Sequence, residues 1–266
     1  MKNIKISIRL VIVYISIMII GVGIINNILK INNNDLSNVT SLLIIQLIST
    51  GYVFYIIKKF YGWKNVGFKQ LDRKNFIWFS PYVLILIPMT YKFIEEFFYN
   101  ISSFNKTTWI SIPLIFIGTI VAGFSEEVIF RGVVLNNLRK EISLISAMFI
   151  SSLGFSIAHI TTVFMGKTLF EALINVIASS LLGFSFVPLA ILLNNIWPMI
   201  IFHILWNFII MASNTIGISI SKVSLLCNPI NIIIAIILWI IVIKNNKKKM
   251  FSKGKLRFSE KLIDSI

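Results

Sequence analysis

The sequence predicts an all-α protein: a polytopic membrane bundle of about eight transmembrane helices, forming a single domain over residues 1–266. Three observations predict it. The chain is 57% hydrophobic and only 13% charged, whereas soluble domains carry nearer a quarter charged residues. Several apolar runs approach the ~20 residues that cross about 30 Å of hydrocarbon. Positive charge is also segregated, with nineteen of the 25 basic residues in loops that an eight-span reading places on one side.

The spans are expected near 8–29, 39–57, 76–94, 108–138, 142–159, 169–190, 195–213 and 229–243. Lys2, Lys5 and Arg9 precede the first. Its apolar run exceeds a signal-peptide core and ends in Ile24-Ile25-Asn26-Asn27, without a small-residue cleavage site, so it reads as a retained span. The second and third flank a basic loop holding Lys58, Lys59, Lys64, Lys69, Arg73 and Lys74. The fourth is longer than a bilayer needs and should tilt or project. Arg139 and Lys140 separate it from the fifth. Glu171, near the start of the sixth, reads as structural. The seventh opens on Trp197-Pro198, where proline suits a first helical turn. After the eighth, the basic tail 244–266 is expected as a short amphipathic or frayed segment. The motif-bearing core is about 108–213.

The charge asymmetry orients the bundle. Lys30, Lys106, Lys167 and Lys222 are nearly all that the opposite loops hold, so both termini are expected in the cytoplasm of a cell with this protein in its cell membrane. The net charge of +15 then faces anionic lipid headgroups and calls for no nucleic acid. Trp63 and its basic loop are expected at the interface. The single cysteine, Cys227, excludes an internal disulfide and a CxxC metal knuckle, and reads as a small packing residue near a helix end. The richness in Ile, Asn and Lys suits a bacterial base composition and carries no functional weight.

Against this apolar background, Ser125-Glu126-Glu127-Val128-Ile129-Phe130-Arg131 stands out, because no charge precedes it from Ile110 to Phe124. Each charge costs roughly 2.5–3.5 kcal/mol at the centre of a membrane helix on insertion scales. Glu127 and Arg131, four apart, share a helix face and can pair. Glu126 points about 100° away and lacks such a partner, which makes it the better candidate for chemistry. The two histidines of the chain both lie in expected spans, each in an i, i+4 pattern: Phe155-Ser156-Ile157-Ala158-His159 and His203-Ile204-Leu205-Trp206-Asn207. Taken singly, a Glu–Arg pair, a hydrogen-bonded histidine or an HxxxN pair can simply hold helices together. Jointly, they point to a polar site in the bilayer interior, for proton relay in a transporter or water activation in a hydrolase.

These three motifs, EExxxR, FxxxH and HxxxN in that order, resemble the signature of the CAAX-protease and bacteriocin-processing (CPBP, or Abi) family of membrane proteases. They span residues 126 to 207. The resemblance implies an all-helical intramembrane endopeptidase acting on a membrane-associated peptide or protein. In the bacterial branch the roles are peptide maturation, bacteriocin self-immunity and signal handling, and the prenyl substrate of the eukaryotic branch is not carried over. Two mechanisms stay open. In one, Glu126 is the general base, His159 orients the water, and His203 with Asn207 stabilises the oxyanion. In the other, Glu126, His159 and His203 hold a zinc ion that activates water, as in a metalloprotease. Glu127, Arg131 and Phe155 are supporting residues in both. The competing readings are a non-proteolytic membrane scaffold or immunity factor, and a proton-coupled transporter. The chain shows no half-chain repeat of the kind many transporters carry.

One geometric difficulty accompanies this grouping. His159 falls roughly 26 Å along the fifth span, and His203 about 12 Å from the opposite end of the seventh. A common site would need strong tilts, a re-entrant start or a shifted boundary.

Overall fold

The computed structural model describes residues 2–27, 35–71, 73–165, 168–218 and 220–263. Lys30 and Lys167, two of the basic residues assigned to the opposite loops, lie outside them. Among the described residues there is no strand, and eight helices are long and apolar enough to cross a membrane. The chain is all-α, with the makeup of a multi-pass membrane protein. The apolar stretches run Ile4–Ile24, Val39–Tyr61, Asn75–Ser103, Lys106–Leu138, Leu144–Phe164, Leu169–Leu193, Trp197–Thr215 and Leu226–Lys248, one for each expected span.

Helices α1 (Lys2–Asn27) and α2 (Asp35–Ile56) pack side by side, and α2 closes on a π-helical turn, Ile57–Tyr61. Helix α3 (Ser80–Asn100) follows a 3-10 turn, Asn75–Phe79. Asn105 starts α4 (Lys106–Glu127) by accepting the Thr108 N–H, which satisfies one of the amides a helix start leaves open. The long fourth span does not stay α-helical. After Glu127 it widens into a π-helix, Val128–Val134, and returns to a short α5, Leu135–Leu138. All seven π-helical residues are buried, so this segment is the centre of the bundle, as expected of a stretch that is apolar except for Arg131, which pairs with Glu127.

Helix α6 (Leu144–Ala158) is capped by Ser143, and α7 (Leu169–Leu193) by a reciprocal Thr168–Glu171 capping box. Glu171 is thus structural, as its position implied. Asn194 ends α7 in the left-handed conformation, φ 50°. Helix α8 (Trp197–Thr215) carries proline in its first turn. Helix α9 spans Ser221–Ile263, which corrects the expectation of a short or frayed tail. Lys, Met, Leu, Arg and Glu make up most of residues 244–263 and are good helix formers, and Gly254 is the one glycine among them. Cys227 is buried within α9, several residues inside its start.

Large aromatic side chains fill the core: Tyr82, Phe130, Phe155, Phe186 and Phe202 are fully buried, and the Arg131 side chain is buried with them. Many other large apolar side chains point outward, among them Ile12, Ile20, Leu84, Ile177 and Ile233. In water such a surface would drive aggregation, whereas in lipid it is the expected exterior.

The segment after the Ile57–Tyr61 turn presses on the π-helix. A Cβ on Gly132 would stand 2.7 Å from the Val66 carbonyl oxygen, so only glycine allows this approach. Asn136 donates to the Asn65 carbonyl at 3.3 Å, and the Gly67 carbonyl accepts the Ile196 N–H at 3.2 Å. The basic loop is therefore tied to both the π-helix and the α7–α8 turn.

The difficulty with the two histidines is resolved without a re-entrant segment. Phe155, about 16 Å into α6, meets His203, about 9 Å into α8, with ring centroids 5.9 Å apart. The helices are offset by about 7 Å on the same rise. His159 begins the 3-10 segment His159–Met165, and its Nδ1 lies 3.0 Å from the Phe155 carbonyl oxygen, so the ring folds back along its own helix.

Candidate active site

Glu126 and Glu127 diverge as their adjacent positions require. Glu127 faces the protein interior with its side chain fully buried. Its Oε1 accepts from Arg131 Nη1 at 3.0 Å and from His203 Nδ1 at 2.9 Å. The arginine–carboxylate pair was legible from the i, i+4 spacing. The bond to His203 was not, because it joins residues 76 positions apart. A carboxylate only accepts, so His203 Nδ1 carries the proton and Nε2 is the ring atom left to face the site. Arg131 is held further by packing, with its guanidinium carbon 4.1 Å from the centre of the Phe155 ring.

Glu126 turns the other way, into a cavity of about 240 Å³. Its Oε2 lies 3.9 Å from His203 Nε2, too far for a hydrogen bond and close enough to share a small molecule such as water. That oxygen is buried and has no hydrogen-bond partner among the described residues. His159 and Asn207 line the same cavity, while His203 stands behind Glu126, 1% exposed. Because the Phe155 carbonyl accepts from His159 Nδ1–H, the lone pair of His159 falls on Nε2. Phe155 thus supports both histidines, with its ring centroid 4.9 Å from that of His159 and 5.9 Å from that of His203. The structure therefore brings together every residue singled out in the sequence, in two shells: Glu126, His159 and Asn207 at the cavity, and Glu127, Arg131, Phe155 and His203 behind them.

Two contributors carry no motif. Tyr14 of α1 lines the cavity, and its hydroxyl lies 3.0 Å from Ser125 Oγ. The π-helix starts at the residue after Glu127, and π-helical turns are frequent at functional sites. Sequence periodicity could not have revealed it, since the segment is apolar throughout apart from Arg131.

Among the described residues, no three His, Cys, Asp or Glu side chains form a group placed to hold a metal ion. Both histidines commit Nδ1 to an oxygen acceptor and leave Nε2 over, as metal-ligating histidines do, but His203 is not part of the cavity wall. Glu126, His159 and His203 are therefore not gathered into a three-ligand zinc shell.

No curated protein and no solved structure matches the chain. Residues 107–209, however, match the family model described as type II CAAX prenyl endopeptidase Rce1-like. That segment runs from the first turn of α4 into α8 and contains all three motifs, leaving out α1 to α3 and α9. Over this segment, less than half of its length, the chain is similar to the Rce1-like family of CAAX prenyl endopeptidases.

Proposed function

We propose that the protein is an intramembrane endopeptidase of the cell membrane that hydrolyses a peptide bond in a membrane-associated peptide or protein. Its roles would be peptide maturation, bacteriocin immunity or signal-peptide processing. The observation that carries this reading is Glu126: an unpaired carboxylate oxygen at the wall of an apolar cavity, with two histidines and an asparagine around it. Such a group is costly in a bundle and has no hydrogen-bond partner among the described residues to explain it.

In the proposed reaction, Glu126 takes a proton from a water molecule as the water oxygen bonds to the substrate carbonyl carbon. His159 Nε2 accepts the second water proton as a hydrogen bond and fixes the attack direction. The carbonyl π electrons move to its oxygen, and Asn207 Nδ2–H donates to that oxyanion, while His203, held through Nδ1 by Glu127, turns Nε2 toward the Glu126 carboxylate. Collapse re-forms the C=O bond and breaks the C–N bond. Glu126 returns its proton to the leaving nitrogen, giving a new carboxyl terminus and a new amine. Glu127 acts through His203 as a positioning residue, and Arg131 holds Glu127.

The test is a set of single and double variants assayed on a proteome-derived peptide pool in detergent micelles. Glu126→Gln, His159→Ala and His203→Ala should each abolish cleavage while leaving membrane insertion intact, and the double variants should lose no more than the singles. Asn207→Ala should retain activity reduced by about 10²–10³. Metal analysis beside assays with and without chelator separates the metal-free route from a zinc-assisted one. A scaffold would tolerate Glu126→Gln at wild-type function.

A further inference from the structure

The cavity extends well beyond Glu126, and one side of its wall is built by helices that lie outside the family match. Tyr14, Ile15 and Met18 of α1 and Leu42, Leu43 and Gln46 of α2 line it. Most polar groups of this wall bond within the protein. Tyr14 is committed to Ser125, Thr119 donates to the Phe116 carbonyl, Thr161 to the Ala158 carbonyl and Thr162 to the His159 carbonyl. Two buried side-chain oxygens in the wall have no partner among the described residues: Glu126 Oε2 and Gln46 Oε1. A buried acceptor left unpaired calls for an explanation. Glu126 has one in the chemistry. Gln46 has none among the described residues.

The position of Gln46 relative to Glu126 is fixed by helix contacts. Thr50 donates to the Val121 carbonyl at 3.1 Å, and Phe54 stacks on Phe124 with centroids 5.1 Å apart. These contacts advance together, so α2 and α4 run parallel. Gln46, one turn before Thr50, is level with Gly118, which shares the cavity. From that level to Glu126 is about 12–13 Å at 1.5 Å per residue. An extended peptide covers this in about four residues, at roughly 3.3 Å each.

We propose that Gln46 is a substrate-positioning residue: its carboxamide oxygen accepts a backbone N–H of the bound peptide about four residues from the scissile bond. Apolar substrate side chains then lie against Ile15, Leu42, Leu43 and Ile115. The occupant is an extended peptide with apolar side chains, since a hydrocarbon chain alone offers no donor for Gln46. This assignment rests on the peptidase reading of the same cavity.

The test uses the detergent-purified full chain and the best-cleaved member of the peptide pool, one with at least four residues on each side of the cut. Backbone N-methyl groups are placed one position at a time. With wild type, N-methylation at a single position about four residues from the cut should raise KM about tenfold, the effect of one buried hydrogen bond lost. Its effect on kcat should stay within about threefold. Gln46→Leu should raise KM for the unmethylated peptide by the same factor and be insensitive to methylation there. Gln46→Glu, which keeps the acceptor, should retain the sensitivity, and Gln46→Met replaces Gln46→Leu if the latter melts early. An unchanged KM in Gln46→Leu, or an equal methylation penalty in both proteins, overturns the assignment of Gln46 and leaves the peptidase reading standing. Absence of any cleavage by wild type overturns the peptidase reading and this assignment with it.

Discussion

Glu127 Oε1 is the most heavily used atom of the site, since it receives both the Arg131 guanidinium and the His203 ring. Removing Arg131 would leave Glu127 buried with its charge uncompensated, and breaking a buried pair in this way costs about 3–5 kcal/mol. Arg131→Ala should therefore lower both the yield of folded protein and its Tm in detergent. Arg131→Lys should recover only part of that loss, because an ammonium cannot reproduce the planar stack on Phe155. A wild-type melting curve for Arg131→Ala would count against this structural role. At this scale the sequence was informative where contacts are local: the Glu127–Arg131 pair and the opposite facing of Glu126 both follow from helix spacing. Contacts between helices, such as Glu127 with His203 or Tyr14 with Ser125, left no trace in the spacing, because they depend on which helices become neighbours.

At the scale of elements, the fourth span shows what sequence reading reaches and where it stops. Its excess length was evident, and the expectation was tilt or projection. The structure spends part of that length on a buried π-helix beginning right after the paired glutamates. The wider turn lies against the Asn65–Gly67 segment, where Gly132 meets the Val66 carbonyl. Gly132→Ala places a methyl group 2.7 Å from that backbone oxygen, and such overpacking typically costs about 1–3 kcal/mol. We expect a lower Tm together with reduced peptide cleavage, since the displaced turn carries Arg131 and follows Glu126. A fully stable and active Gly132→Ala protein would show that the loop yields freely. The offset of α6 and α8 was equally invisible to residue counting, because equal depth in sequence does not mean equal depth in a staggered bundle.

For the whole molecule, hydropathy was sufficient to find all eight spans, each matched by a helix of spanning length. What hydropathy could not supply is the cavity, because its polar lining is sparse and comes from five separate segments of chain. Orientation follows from charge: eight spans put the basic N-terminal segment, the 58–74 loop and the Lys244–Lys248 region on one face, expected to be cytoplasmic. Reporter fusions at Lys30, Arg73, Lys106 and Lys249 should report out, in, out and in. An external signal at Arg73 or Lys249 would contradict that topology.

The central claim is that Glu126 activates water to cleave a peptide bond, and its most direct measurement follows the oxygen of that water. Purified wild type and Glu126→Gln are incubated with the peptide pool in water enriched in heavy oxygen, and the products are read by mass spectrometry. Wild type should generate new carboxyl termini, each carrying one heavy oxygen, and Glu126→Gln, at equal folded concentration, should generate none. Label incorporated at the wild-type rate by Glu126→Gln, or a wild-type protein that produces no labelled termini, would contradict the claim.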